Sequence, residues 1–170
     1  MVICGNSIYP PEGFENVQKG SYGYANLNND CYSRINEYLE TLEMTLNKLT
    51  SYIDVDLMPG ELDVSSAMVP QQPINRAMFP NLIKPERINF VTNPHEFCIN
   101  GIRFLGTDGN NVKDIRMFAE NHRNPVDIME QMLQFRHICP TSPDTLRSYP
   151  FTQTDPFIIK SSPHVFFAGN

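Results

Sequence analysis

Apolar and acidic residues alternate from Ile53 to Leu57, with Asp54 and Asp56 set between Ile53, Val55 and Leu57. A period of two predicts a half-buried strand. Pro59-Gly60 stops it, because proline lacks a ladder donor and glycine tolerates the turn that follows. Glu61 and Asp63 are thereby delivered on a loop at the carboxyl end of a strand, where α/β sheets keep their ligands. Upstream the period changes: Ile35, Tyr38, Leu39, Leu42, Leu46 and Leu49 recur at three- and four-residue steps. They predict an amphipathic helix from about Cys31 to Ser51, capped by Asn29 or Asp30. Met1 to Asn6 reads as a buried strand cut short at Gly5, with Asn6 at its carboxyl end. Residues 7–30 read as surface loop. Strand, helix and strand make a βαβ unit, which implies a parallel pair.

Further along, Ile88-Asn89-Phe90-Val91-Thr92 precedes two apolar runs joined by Asn100-Gly101, a strong hairpin signal. The whole segment is expected as antiparallel sheet. Thr107 to Asn111 lacks the spacing of a calcium loop and reads as a structural turn before a short helix from Val112 to about Phe118. Asn124-Pro125-Val126-Asp127 opens the next helix, with Asn as cap, Pro at the first position and an acid in the first turn. Its expected buried face is Ile128, Met129, Met132, Leu133 and Phe135, and it ends near Arg136 to Pro140. The run from His164 to Asn170 is a core strand ending in Gly plus a polar residue. Core strands at both termini make the chain read as a domain incomplete at both ends, with sheet edges left bare and poor folding in isolation expected.

Composition narrows the function classes. At 170 residues and 41% hydrophobic content the chain is sized for one globular domain. No apolar run reaches a membrane span, and the first residues lack the basic flank of a signal peptide. Cys4, Cys31, Cys98 and Cys139 are widely spaced among apolar neighbours, which reads as free buried thiols, not as a metal or disulfide framework. The net charge of -6 with no basic block argues against a surface that holds nucleic acid directly. Eleven of the 14 prolines fall in two zones, 59–94 and 140–163, so both should be loops that cover or bind something. Walker A, G-x-S-x-G and H-E-x-x-H motifs are absent. His95 and His122 sit in polar, turn-like surroundings and read as solvated. Tyr149, Phe151, Phe157, Phe166 and Phe167 read as core or interface and not as a base-stacking platform.

Three strands thus end in Gly plus a polar residue, at Gly5-Asn6, Gly60-Glu61 and Gly169-Asn170, and His137 follows a helix on a loop. Loops of this kind can converge on one edge of a mixed sheet. The layout resembles the calcineurin-like metallophosphoesterases, whose motifs GDxxD, GNHD, a lone His and GHxH hold two metal ions at strand ends. Set against those motifs, Asn6 takes the place of the metal-bridging Asp, and a neutral amide supplies no anionic bridge. Glu61 and Leu62 stand for the Asn ligand and the catalytic His, while Asp63 fits. His137 matches the lone His, and Asn170 replaces the first His of the last motif. Beside this stands the plainer reading of His137 as a capping or core histidine. The resemblance implies a degenerate site with no metal and no cofactor, and an α/β phosphoesterase fold.

The chain further resembles the small accessory (B-type) subunits of the replicative DNA polymerases, and within them the delta type. The strings that carry this are Val55 to Asp63, Pro70-Gln71-Gln72-Pro73, Val91 to Pro94, Gly101 to Thr107, Arg136 to Leu146, Tyr149-Pro150-Phe151, Asp155-Pro156-Phe157 and His164 to Phe167. Any one alone is weak; their common order is specific. The resemblance implies a nuclear, non-catalytic scaffold in DNA replication and repair. It would bind the C-terminal metal-binding module of the catalytic subunit and a further subunit, and meet DNA only through them. An upstream oligonucleotide-binding-type domain belongs to that pattern. The alternative is a metal-dependent phosphoesterase with residual activity; a generic interaction domain outside replication is a third reading.

Overall fold

The computed structural model describes residues 1–8, 29–119 and 124–169. Among them the elements run β1 (Val2–Cys4), α1 (Asn29–Thr50), β2 (Val55–Met58), β3 (Ile88–Phe90), β4 (His95–Ile99), β5 (Ile102–Thr107), α2 (Asn110–Phe118), α3 (Pro125–Phe135) and β6 (Val165–Ala168). They build two three-stranded sheets, in the orders β1-β2-β3 and β4-β5-β6. The chain is therefore mixed α/β.

The first sheet is parallel throughout, as the βαβ reading requires: Val2 pairs with Asp56 and Val55 with Ile88. The apolar stripe of α1 lies against it. Ile35, Leu39 and Leu46 pack with Val55, Leu57 and Ile88, and Leu46, Val55 and Leu57 are completely buried. Helix α1 begins two residues before the predicted start, so the residue that caps it lies outside the described set. Ile53 is exposed and belongs to the turn closing α1, where its N–H donates to Leu49 O at 3.0 Å, so the strand proper starts at Val55. The expectation of buried terminal strands is also corrected, since β1 and β6 are half-buried or less and each lies on a sheet edge.

The second sheet holds the Asn100-Gly101 hairpin, with Phe97 opposite Phe104 and Ile99 opposite Ile102. Strand β6 joins it parallel to β5. The segment Ile88–Thr92 does not belong to this antiparallel unit. A 3-10 turn at Pro85–Arg87 leads into β3, which pairs with β2 in the other sheet, and the chain changes sheets at Asn93-Pro94. Helices α2 and α3 pack through Val112, Ile128 and Met132 against Phe166 and Ala168. Phe135 lies on the last turn of α3 and stays exposed, so it is not part of the buried face. Asn124 does cap α3, its side chain accepting from Val126 N at 3.1 Å.

The proline-rich zones are packed, not dangling. Val69, Ile74 and Phe79 from the first, and Leu146, Phe157 and Ile159 from the second, are buried in the cores. The zones also bond to each other: Val69 N donates to Arg147 O at 3.0 Å and Tyr149 N to Val69 O at 3.1 Å. No helix among the described residues is long and apolar enough to cross a membrane.

Candidate functional site

Five of the six strands among the described residues deliver their carboxyl ends to one place. Gly5 and Asn6 follow β1, Gly60 to Asp63 follow β2, Asn93 follows β3, Asp108 follows β5 and Gly169 follows β6. Gly5 and Asn6 both take positive φ, 78° and 51°, which turns the chain sharply over Gly60. Backbone meets backbone there: a Cβ on Gly5 would come within 2.7 Å of Gly60 Cα and 2.9 Å of Asp108 Cβ. A Cβ on Gly60 would lie 2.7 Å from Asn6 Oδ1. Only glycine fits either position.

The polar side chains at this junction bind the chain itself. Asp63 is buried; its Oδ1 accepts from Ser7 N at 2.8 Å and Ile8 N at 3.2 Å, and its Oδ2 from Gly60 N at 2.8 Å. Asn6 Oδ1 accepts from Leu62 N at 3.0 Å. Asp108, also buried, accepts from Glu61 N and from Asn110 N, each at 3.2 Å. Asn93 Oδ1 accepts from Asp108 N at 3.2 Å, while its Nδ2 donates to Gln71 Oε1 at 2.7 Å. Gln71 Nε2 completes the chain by donating to Gly60 O at 3.0 Å and Ser66 O at 2.8 Å. Glu61 turns outward to pair with Lys113 on α2 at 3.5 Å.

Burial dominates the electrostatics. Loss of water raises the Asp63 carboxyl to about 6, against the backbone N–H groups that favour its charged form. Asp108 is raised by the same cause, again opposed by its hydrogen bonds, with the Glu61 charge adding to the rise. Cys139 is raised strongly by burial, and next by the negative charge of Asp108, Asp155 and Asp114.

The predicted site residues divide accordingly. Asn6, Glu61, Leu62 and Asp63 come together as strand-end residues. His137 does not bond to that cluster: its Nε2 lies 2.9 Å from Asp155 Oδ2, and its Nδ1 accepts from Cys139 N at 3.2 Å. That acceptor role places the proton on Nε2. Asn170 and His122 lie outside the described residues. His95 is not solvated. Its ring is 15% exposed and stacks 5.0 Å from Phe97, with Nε2 3.6 Å from Asp56 Oδ2. Cys98 is exposed, contrary to the expectation of buried thiols throughout.

Three central residues escaped the sequence reading. Asp108 reads as part of a turn, and Gln71 and Asn93 figure only within longer strings. The available signal was an acid directly after a predicted strand, the same position relative to β5 that the Glu61–Asp63 loop has relative to β2. Among the described residues no group of three or more His, Cys, Asp and Glu side chains is arranged to hold a metal ion.

Fold and junction together define a mixed α/β domain whose strand ends are tied by an internal polar network. The chain belongs to the B-subunit family of DNA polymerases alpha and epsilon, whose model matches residues 1–170. It is 39% identical over 170 residues to a DNA polymerase delta small subunit of Arabidopsis thaliana, covering all of this chain and 37% of that protein. It is 35% identical over the same length to a DNA polymerase delta small subunit of Oryza sativa, covering 38% of that protein. Over 118 residues it is 37% identical to DNA polymerase delta subunit 2 of Drosophila melanogaster, covering 69% of this chain and 27% of that one. The chain thus spans well under half the length of these curated relatives.

Proposed function

We propose that the chain acts as part of a non-catalytic accessory subunit of a replicative DNA polymerase of the delta type, in the nucleus, in DNA replication and repair. The observation that carries this reading is the engagement of the junction carboxylates by backbone N–H groups. In the calcineurin-like frame that we assign to the fold, this junction is where two metal ions would sit. The residues present do not fit them. A two-metal centre needs anionic oxygens with free lone pairs and a bridging carboxylate. Here each oxygen of Asp63 and Asp108 commits at least one lone pair to a backbone N–H, and Asp63 Oδ1 commits both; Asn6, in the bridging position, is neutral, and Leu62 has no proton to give. The same contacts tie the ends of β1, β2 and β5 together, which suits a rigid platform.

The relatives' names support an association with other polymerase subunits, and the resemblance of the sequence supports the particular partners. A small subunit of polymerase delta would hold the catalytic subunit through that subunit's C-terminal metal-binding module, and bridge it to a further subunit. The second proline-rich zone supplies a suitable face. Tyr149 and Phe151 are exposed and meet edge to face at 6.4 Å, beside a groove of about 390 Å³ that His137, Pro150, Asp155 and Pro156 also line. Prolines reduce the entropy lost on docking, and aromatic rings provide apolar contact area. With a net charge of -6 the chain would meet DNA through its partners.

Co-expression with the catalytic subunit's C-terminal module tests this. The expected result is a stable complex that Phe151→Ala and Tyr149→Ala weaken while the melting temperature is unchanged. Failure to form a complex, or tight binding of DNA by this chain alone at physiological salt, would overturn it.

A further inference from the structure

Two of the chain's 14 prolines follow serine, at Ser142-Pro143 and Ser162-Pro163. The fold treats the two serines differently. Ser142 Oγ is buried without a hydrogen-bond partner, out of reach of a modifying enzyme. Ser161 and Ser162 are exposed, on the loop that joins the buried Ile159 to β6.

That loop is held by cations. Arg103 Nη2 donates to Ser162 O at 2.7 Å, and the Arg103 backbone bonds His164 in both directions, at 2.9 Å to its N–H and 3.0 Å to its Nδ1. Arg136 donates through Nε to Ile159 O at 3.2 Å and through Nη2 to Lys160 O. Lys160 is itself exposed. The ion pairs among the described residues involve Arg87, His95, Lys113 and His137, so none of Arg103, Arg136 and Lys160 has a carboxylate partner there. In an acidic chain, three cations surround one short loop, and both guanidiniums contact neutral carbonyls. A guanidinium has five N–H donors, and Arg103 keeps several of them free.

We propose that Ser162 is a phosphorylation site for a proline-directed serine/threonine protein kinase, and that its phosphate is held by Arg103 with Lys160 alongside. Ser162 Oγ attacks the γ-phosphorus of ATP, the bond to the bridging oxygen of ADP breaks, and the serine proton passes to the kinase's base. The product carries about -1.5 to -2 charge and three acceptor oxygens, which form charge-assisted bonds to a nearby guanidinium. Arg103 already reaches the carbonyl of the same residue, so no large rearrangement is needed. Lys160, Ser161 and Pro163 also line a cavity of about 640 Å³, so the modification changes the charge at its rim.

The test uses the purified full chain, ATP and a proline-directed kinase of the cyclin-dependent class. Tandem mass spectrometry should find one phosphate, on Ser162, absent from Ser162→Ala, with none on Ser142. A ³¹P NMR pH titration then reads the pocket. The second phosphate pKa should lie below its usual value of about 6, and Arg103→Gln and Lys160→Gln should each move it back up. No phosphate on Ser162, or a titration indifferent to both substitutions, overturns the proposal.

Discussion

Asp63 accepts three backbone N–H groups while almost wholly buried, and those two facts pull its chemistry in opposite directions. Desolvation wins and raises the carboxyl from 3.8 to about 6. Between those values the folded chain binds the proton more tightly than the unfolded chain. The group's contribution to stability is therefore full below the lower value and falls as pH rises through the upper one. Asp155 works the other way. Burial raises it, but the hydrogen bonds from His137 and from the Phe157 N–H outweigh that and leave it lowered, so its contribution is lost only as pH falls below the ordinary carboxylate range. Replacing Asp63 by Ala strands the N–H groups of Ser7, Ile8 and Gly60, and should lower stability by ~1–3 kcal/mol. Urea melts should show that gap narrowing between pH 5 and pH 7, because only the wild type titrates there. A gap that widens over the same range would contradict the account. Thiol chemistry gives a second check at this scale. Cys98 is exposed, whereas burial first and then neighbouring carboxylates keep Cys139 protonated. Alkylation at neutral pH, mapped by mass spectrometry, should modify Cys98 well before Cys139.

Among the elements, those with a strong local pattern were legible in the sequence. The stripe from Ile35 to Leu49 became α1, Asn100-Gly101 became the hairpin, and Asn124-Pro125 opened α3. What failed depended on tertiary partners. Nothing local says that β3 joins β2 and not β4, because strand pairing is decided by packing and by where Asn93-Pro94 redirects the chain. His95 likewise looks polar in sequence and is covered only when β4 lies beside the Asp56 face of the first sheet. The proline-rich zones were legible as ordered loops, and their buried residues now predict a contrast within one stretch. Phe157, 5% exposed, should cost about 3–5 kcal/mol when cut to Ala. Phe151, 49% exposed, should change stability by less than about 0.5 kcal/mol. Equal losses in chemical denaturation would mean that the zone packs differently.

At the scale of the whole molecule, two small sheets are joined at their carboxyl ends by one network running through Asn6, Gly60, Asp63, Gln71, Asn93 and Asp108. About half of this centre could be read from sequence, because Pro59-Gly60 and Gly5-Asn6 announce strand ends. Gln71, Asn93 and Asp108 could not, since a polar residue in a loop gains its meaning only from the chain segment that arrives opposite it. The proposed role of this network is to tie the fold together, handling neither metal nor substrate. Incubation of the purified chain with Mn²⁺ or Mg²⁺ and an aryl phosphate tests that most directly. The expected result is release of phenol no faster than the blank at any metal concentration. Metal-dependent turnover that follows the protein through purification, and that Asp63→Asn abolishes while circular dichroism shows the fold intact, would contradict it.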